Sequence, residues 1–234
     1  MGEDAKPDER PAEAGQQNES VSVLPAIPIA GSLPSRVTSE ESDLIARAAK
    51  KDTAAFRALY QRHRGDVARL VYRMLSGSAD VEDVVQEVFV QVFRSLKDFR
   101  GQSKFSTWVH RVAVNVVLMH RRAARSRPTY AEELPHEHTA DHDTVGPDED
   151  ADRRARVRAF AKLLDRLADK KRTVFVLHEL EGIPPQEIAK IVGAPVLTVR
   201  TRLFYARREI EAMMADEPLL VGVQGTFSKT GGDE

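Results

Sequence analysis

Pro184-Pro-Gln-Glu-Ile-Ala-Lys-Ile-Val192, Gly193-Ala-Pro195, then Val196-Leu-Thr-Val-Arg-Thr-Arg-Leu-Phe-Tyr-Ala-Arg-Arg208 is the run that decides the fold. Two segments with apolar residues at helical spacing flank a three-residue break. Gly193 supplies a tight, left-handed turn residue, and Pro195 opens the second helix. Ile188, Ala189, Ile191, Val192, Val199 and Leu203 pack the two helices together. Thr198, Arg200, Thr201, Arg202, Tyr205 and Arg208 stay outside. That residue set suits phosphates and base edges, because the first turns of such a second helix enter the major groove. The bland alternative is a helical hairpin with a solvated arginine face.

Working outward, helical periodicity extends from near Arg153 to Met214, in pieces Arg156 to Leu167, Lys170 to Leu180, Pro184 to Val192 and Val196 to Met213. Residues 215–234 read as a flexible tail, Gly-rich at its end. Upstream, residues 127–152 read as a flexible acidic linker, with Pro, His and no periodicity. From Glu132 to Asp152 there are nine acids and no Lys or Arg. His136, His138 and His142 lie there among Glu137, Asp141 and Asp143; imidazoles and carboxylates suffice for zinc, but nothing in the segment fixes their geometry, and no metal is assigned.

A second helical domain spans residues 38–126. Ser39-Glu-Glu-Ser-Asp43 starts it with acids at the positive end of a helix dipole. Apolar residues then recur from Leu44 to Met74, with a break near Lys51-Asp52 and a turn at Gly77-Ser78. Asp80 is placed as an N-cap, with Asp83 at N3 as an acidic variant of the capping box. The helix from Val81 to about Leu96 carries Val81, Val85, Val88 and Val92 on one stripe. Asp83 and Glu87 are like charges at i, i+4, a few tenths of a kcal/mol unfavourable unless something basic meets them, and Gln86 sits beside them.

The next stretch is basic and aromatic: Phe99-Arg-Gly-Gln-Ser-Lys-Phe-Ser-Thr-Trp108, then Val109-His-Arg-Val-Ala-Val-Asn115. From Arg94 to Arg127 nine Lys and Arg stand against one acid, Asp98. Trp108, Arg111 and Asn115 share a helix face opposite Val109, Val112 and Ala113. Aromatic, cation and amide on one face, beside Phe99, Arg100, Lys104 and Phe105, suit an extruded base. The competing reading makes the aromatics core and leaves the arginines in solvent.

The net charge of −1 over 234 residues announces no nucleic-acid binder, yet charge is segregated, and a partner feels the local balance within about 10 Å. With no cysteine, disulfide scaffolds, thiolate metal sites and a Cys nucleophile are excluded. Residues 1–37, rich in Pro, Glu and Gln, read as a disordered extension rather than a secretory signal. No apolar run approaches the roughly 20 residues that span a bilayer, so the chain reads as soluble and cytoplasmic, with no membrane insertion. Neither a catalytic triad, a phosphate-binding Gly loop nor a paired-carboxylate pocket is found. The expectation is all-α, two helical domains, no enzyme and no cofactor.

Asp83-Val-Val-Gln-Glu-Val-Phe89, Phe99-Arg-Gly, Phe105-Ser-Thr-Trp108, Arg111-Val-Ala-Val-Asn115 and Glu179-Leu-Glu-Gly182 through Arg208 together resemble the sigma-70 family of bacterial transcription initiation factors, in its extracytoplasmic-function group. The resemblance covers about Ser39 to Ser126 (region 2) and Arg156 to Met214 (region 4). It implies that Asp83, Gln86 and Glu87 face the β′ clamp helices of core RNA polymerase, whose β subunit is also a partner. It implies that Phe99, Arg100, Gly101, Gln102, Ser103, Lys104, Phe105, Thr107, Trp108, Arg111 and Asn115 take the melted −10 strand of promoter DNA. Thr198, Arg200, Thr201, Arg202, Phe204, Tyr205 and Arg208 would face the −35 element, and an anti-sigma factor would regulate the whole. Leu197 stands where the family often has Gly, and Tyr205 where a cation is common. The rival function is a stand-alone helix-turn-helix regulator; a metal-dependent enzyme using the linker histidines is more distant.

Overall fold

The computed structural model describes residues 39–78, 80–126 and 147–221; the N-terminal extension, the linker histidines and the end of the tail lie outside the described residues. Every regular element among the described residues is helical.

The first module holds four helices: α1 (Ser39–Ala49), α2 (Thr53–Met74), α3 (Val81–Ser95, continued by a 3₁₀ turn Leu96–Asp98) and α4 (Phe105–Ser126). α1 begins where expected, with Glu40 and Glu41 in its first turn. The break before α2 is a left-handed Lys51 (φ 70°) followed by Asp52, whose carboxylate accepts from the amides of Ala54 and Ala55 at 2.9 and 3.0 Å. That cap was not foreseen. The one foreseen at Asp80 is absent: its side chain makes no capping bond and instead meets His120 Nε2 of α4 at 3.1 Å. Asp80 sits at ψ 3° rather than extended, so its carboxylate is not swung over the first turn.

The core of this module forms where α2, α3 and α4 pack, with Leu59, Val67, Leu70, Val88, Val92, Val109 and Ala113 buried. On α3 the buried residues are Val84, Val85, Val88, Phe89 and Val92, a wider stripe than the Val81-Val85-Val88-Val92 row, with Val81 only half-buried. α4 buries two rows: Val109, Ala113 and Val116 as periodicity suggests, joined by Phe105, which the sequence placed in the loop, while Val112 is only half-buried; and also Thr107, His110, Val114 and Val117. The second row exists because α4 has three neighbours, α2, α3 and α7.

The second module runs α5 (Pro147–Arg166), α6 (Asp169–Phe175) extended by a π-helical turn Val176–Leu180, α7 (Pro185–Val192) and α8 (Val196–Ala215). α5 starts well before Arg156, inside the stretch assigned to the linker. The turn between α7 and α8 is the expected one: Gly193 has φ 63° and ψ 40°. Val174, Phe175, Val176, Leu177, Ile188, Ile191, Val199, Leu203 and Ile210 fill the core. After α8, residues assigned to the flexible tail form a 3₁₀ turn, Pro218–Leu220, which packs against α5 and buries Leu220 completely.

The modules also meet along a charged seam. Arg73 Nη1 and Arg69 Nε of α2 donate to Glu181 at 2.9 and 3.3 Å. Arg121 and Arg125 of α4 hold Asp165 and Asp169 at 2.8–3.1 Å. Arg172, only 1% exposed, bonds Asp165 and, at 2.6 Å, the hydroxyl of Ser76, which itself donates to the Ala161 carbonyl at 3.0 Å. Burial alone would raise the Asp165 and Asp169 carboxyls; the arginine hydrogen bonds outweigh it and hold both below the usual carboxylate range.

Candidate nucleic-acid and protein interfaces

Three exposed surfaces of different chemistry emerge from these helices. On α3, Asp83, Gln86 and Glu87 all point to solvent. Among the described residues neither carboxylate has an ion-pair partner, so the like-charge repulsion inferred from spacing is uncompensated. Asp83 and Gln86 border a groove between α2 and α3 whose wall is aromatic, Phe56 meeting Phe93 edge-on at 4.8 Å and Tyr60 meeting Phe89 at 4.7 Å, and Glu87 lies one turn along from Asp83, outside the lining. Arg64 and Arg94 line the groove on its other sides, so the acidic face is the α3 edge, and exposed carboxylates beside an apolar groove fit a basic, partly apolar protein surface.

The second surface is the loop before α4 and that helix's first turns. Phe99 leaves the 3₁₀ turn extended, and Gly101 takes φ 68°, a conformation a side chain would strain. Phe99, Phe105 and Trp108 form one cluster, with centroids 5.4–5.7 Å apart. Its members differ: Phe105 is buried and also meets His63 at 5.1 Å, whereas Phe99 and Trp108 are half-buried and keep an open side. Both bland and functional readings therefore apply, to different rings. Arg100, Gly101, Gln102, Arg111 and Asn115 are exposed, and Ser103 is half-buried with its hydroxyl on the Lys104 carbonyl at 3.3 Å. Two residues of the set sit elsewhere: Thr107 is buried in the second row of α4, and Lys104 Nζ bonds Glu187 of α7 at 2.9 Å.

His110, between Thr107 and Val114 in that row, escaped sequence reasoning. It is buried, with Asp66, Arg69 and His63 of α2 and Glu187 of α7 in electrostatic reach, and desolvation pushes its pKa down to about 4. No sequence signal marks it; it lies one position before Arg111, in a stretch read for its exposed face.

The third surface is α8. Arg200, Thr201, Phe204, Tyr205 and Arg208 are exposed, while Thr198 and Arg202 are half-buried. Phe204 and Tyr205 meet edge-on at 5.4 Å, and the Arg208 guanidinium lies 5.7 Å over the Phe204 ring. The inner side is anchored: Arg207 bonds Glu179 of the π-helical turn at 2.8 Å, and Lys171 pairs with Glu209. Charge is thus consumed on the core side and left open outside. No helix among the described residues is long and apolar enough to cross a membrane.

Comparison with known proteins agrees with this division. The family model for sigma-70 region 2 matches residues 59–127, and that for sigma-70 region 4 matches residues 158–210. The ECF RNA polymerase sigma-E factor of Haemophilus influenzae is 36% identical over 176 residues, covering 72% of this chain and 92% of that protein. The RNA polymerase sigma-H factor of Pseudomonas aeruginosa is 30% identical over 187 residues, 77% of this chain and 96% of its own. Among solved structures, CnrH in complex with the cytosolic domain of CnrY matches with a TM-score of 0.56 at 27% identity, over 76% of this chain and 99% of that one. RpoE in complex with the anti-sigma factor NepR from Bartonella quintana has a TM-score of 0.54 at 17% identity, over 69% and 98%, a likeness of fold. Two family regions in this order remove the stand-alone regulator, whose helical partner domain was to be unrelated. Acidic α3, the aromatic loop before α4 and the helix-turn-helix of α7 and α8 lie on one covalent frame because the chain belongs to the sigma-70 family of RNA polymerase sigma factors, in its extracytoplasmic-function group.

Proposed function

We propose that the three surfaces divide promoter opening among them. Asp83, Gln86 and Glu87 dock on the β′ clamp helices of core polymerase. Phe99, Trp108, Arg111 and Asn115, with the exposed loop residues Arg100 to Gln102, capture the unpaired −10 strand, and α8 holds the −35 duplex. Thr107, buried in α4, does not contact the strand. The chain acts in the cytoplasm and has no catalytic activity of its own. An anti-sigma protein restrains it, as RpoE of Bartonella quintana stands in complex with the anti-sigma factor NepR.

The observation that carries this reading is the open side of Phe99 and Trp108 beside exposed Arg111 and Asn115, whose side chains have no partner among the described residues: a stacking platform with donors at its edge. Magnitudes explain why a polymerase is needed. Opening a handful of base pairs costs on the order of 5–8 kcal/mol, at roughly 1.4 per step. Two captured bases at ~1–3 kcal/mol each scarcely offset that. Geometry adds a second demand. The two promoter elements lie about 25 base pairs apart, some 85 Å at ~3.4 Å per pair, whereas a compact body of about 160 residues has a radius of gyration of about 15 Å and is roughly 40 Å across. The seam must therefore part when both elements are engaged.

Holoenzyme assembled on promoter DNA tests the division. Asp83→Lys with Glu87→Lys should abolish retention by immobilised core enzyme. Trp108→Ala with Asn115→Ala should leave retention intact and suppress permanganate-reactive thymines at −10. Normal melting by the second variant would remove the capture assignment, and normal retention of the first would remove the docking one.

A further inference from the structure

We infer that Leu197 is a specificity residue: it reads the 5-methyl group of one thymine in the −35 duplex. The inference rests on α8 facing that duplex and goes on to name what one side chain selects. Leu197 is the second residue of α8, in the turn that enters the groove first. At 75% exposure it is the most exposed large apolar side chain among the described residues. The other exposed apolar residues of α8, Phe204 and Tyr205, pack on each other, with Arg208 over the Phe204 ring. Leu197 has no such cover.

Its neighbours narrow what it can meet. Thr201 Oγ1 donates to the Leu197 carbonyl at 2.9 Å, so that hydroxyl has already spent its proton. In the first turns of α8 the exposed donor left is the Arg200 guanidinium, and the exposed apolar surface is Leu197. On the major-groove edge of a base pair, thymine alone presents an apolar group; guanine and adenine present acceptors and an amine, and cytosine presents an amine. Leucine pressed on any of those polar edges would strip water without replacing it. Against the thymine methyl it displaces water from two apolar surfaces at once. Arg200 beside it supplies the charge complementarity that draws this turn onto phosphate and purine edges.

The test uses full-length chain bound to core polymerase and the −35 duplex that this holoenzyme enriches from a randomised library. Each thymine of the duplex is replaced in turn by deoxyuridine, which removes a methyl and nothing else, and affinities are compared by competition. At one thymine the unsubstituted protein should lose about fourfold, the worth of one buried methyl. L197A should be indifferent at that position and should retain the unsubstituted protein's response at every other. Placing 5-methylcytosine there should bind better than cytosine for the unsubstituted protein only. Because the side chain is exposed, L197A should melt at the unsubstituted protein's temperature, which a thermal scan checks. An enriched element without thymine, a variant that keeps the full deoxyuridine response, or one that weakens on all duplexes equally would overturn the assignment. Failure to enrich any −35 sequence would overturn the duplex-facing reading of α8 along with it.

Discussion

Replacing Glu181 by alanine should unlatch the two modules without unfolding either. The Glu181 carboxylate is 6% exposed and accepts from Arg73, whose side chain is 10% exposed, and from Arg69, whose side chain is 42% exposed. Losing one partner of a buried pair costs about 3–5 kcal/mol, because the survivor is left desolvated. The Arg69 leg, screened by solvent, adds no more than about 1 kcal/mol. Arg73 keeps an acceptor in the Leu180 carbonyl, which lowers the first figure. The net penalty is then about 2–4 kcal/mol, and it falls on the closed arrangement alone, since parting the seam returns Arg73 to water. At about 1.4 kcal/mol per decade this lowers the closed-to-open ratio by roughly 30- to 700-fold. The chain has no cysteine, so Arg57→Cys on α2 and Glu211→Cys on α8, both exposed, accept a dye pair without background. Energy transfer should be high in the parent and fall in E181A, while each module keeps its helical circular dichroism. Exchanging the charges, R73E with E181R, should recover much of the transfer. Equal transfer in parent and E181A from low to high salt would refute the latch. So would a cooperative loss of helix with unchanged transfer, since Glu181 would then support its own module.

Acid should destabilise the fold in two stages. His110 has its folded pKa pushed below its unfolded value, so the unfolded chain takes up the proton first; stability is full above about pH 6.5 and drains as pH falls toward 4, by about 2–3 kcal/mol at pH 4.5. Asp165 and Asp169 have depressed folded values, so their contribution persists above the unfolded carboxylate pKa of 3.8 and is lost below it. Urea melts at stepped pH should show both stages in the parent and a smaller upper stage in H110L, the remainder belonging to His63, which burial also lowers; a parent profile flat from pH 7 to 4.5 would contradict the first. Two glycines should respond oppositely to alanine, although a Cβ meets nothing within 4 Å at either. Gly193 is left-handed at φ 63°, so G193A should cost about 1 kcal/mol and lower the melting temperature by about 2–4 °C. Gly65 lies inside α2, so G65A should stabilise by about 0.5–1 kcal/mol, and calorimetry showing the same sign for both would break the argument.

What could be read in advance was whatever depends on residues close in sequence. The start of α3 at Val81, the left-handed Gly193, the opening of α8 after Pro195 and the exposure of Arg111 and Asn115 opposite Val109 and Ala113 all follow from a period of 3.6 and local turn chemistry. The two caps diverged because a cap depends on backbone angles that residue type only biases: Asp52 has the extended ψ of 108° that Asp80 lacks. The seam could not be read at all. Its pairs join residues 44 to 112 positions apart, and in one dimension Arg73, Arg121 and Arg172 look like any solvated arginine. Lys104 and Thr107 stand among strand-facing neighbours in the sequence, and adjacency says nothing about which of five successive side chains the fold will cover or pair.

The second buried row of α4 shows why that seam is more than a set of ion pairs. Periodicity finds the row a helix turns toward its own module, Val109, Ala113 and Val116, which Phe105 continues. A free-standing four-helix module needs no more from α4, and the remaining arc would be polar. Instead Thr107, His110, Val114 and Val117 continue at spacings of three and four, and the same line reaches Arg121, which grips Asp165 and Asp169. Apolar burial and charge pairing therefore run along one edge of the helix. Salt screens only the exposed legs, those of Arg69, Arg125 and Lys104, and leaves Arg73 with Glu181 and the neutral His110 largely untouched. High ionic strength alone should thus loosen the modules less than E181A does. If salt instead matched the substitution, the closed arrangement would owe its existence to surface charge, and the burial of His110 would have to come from its own module.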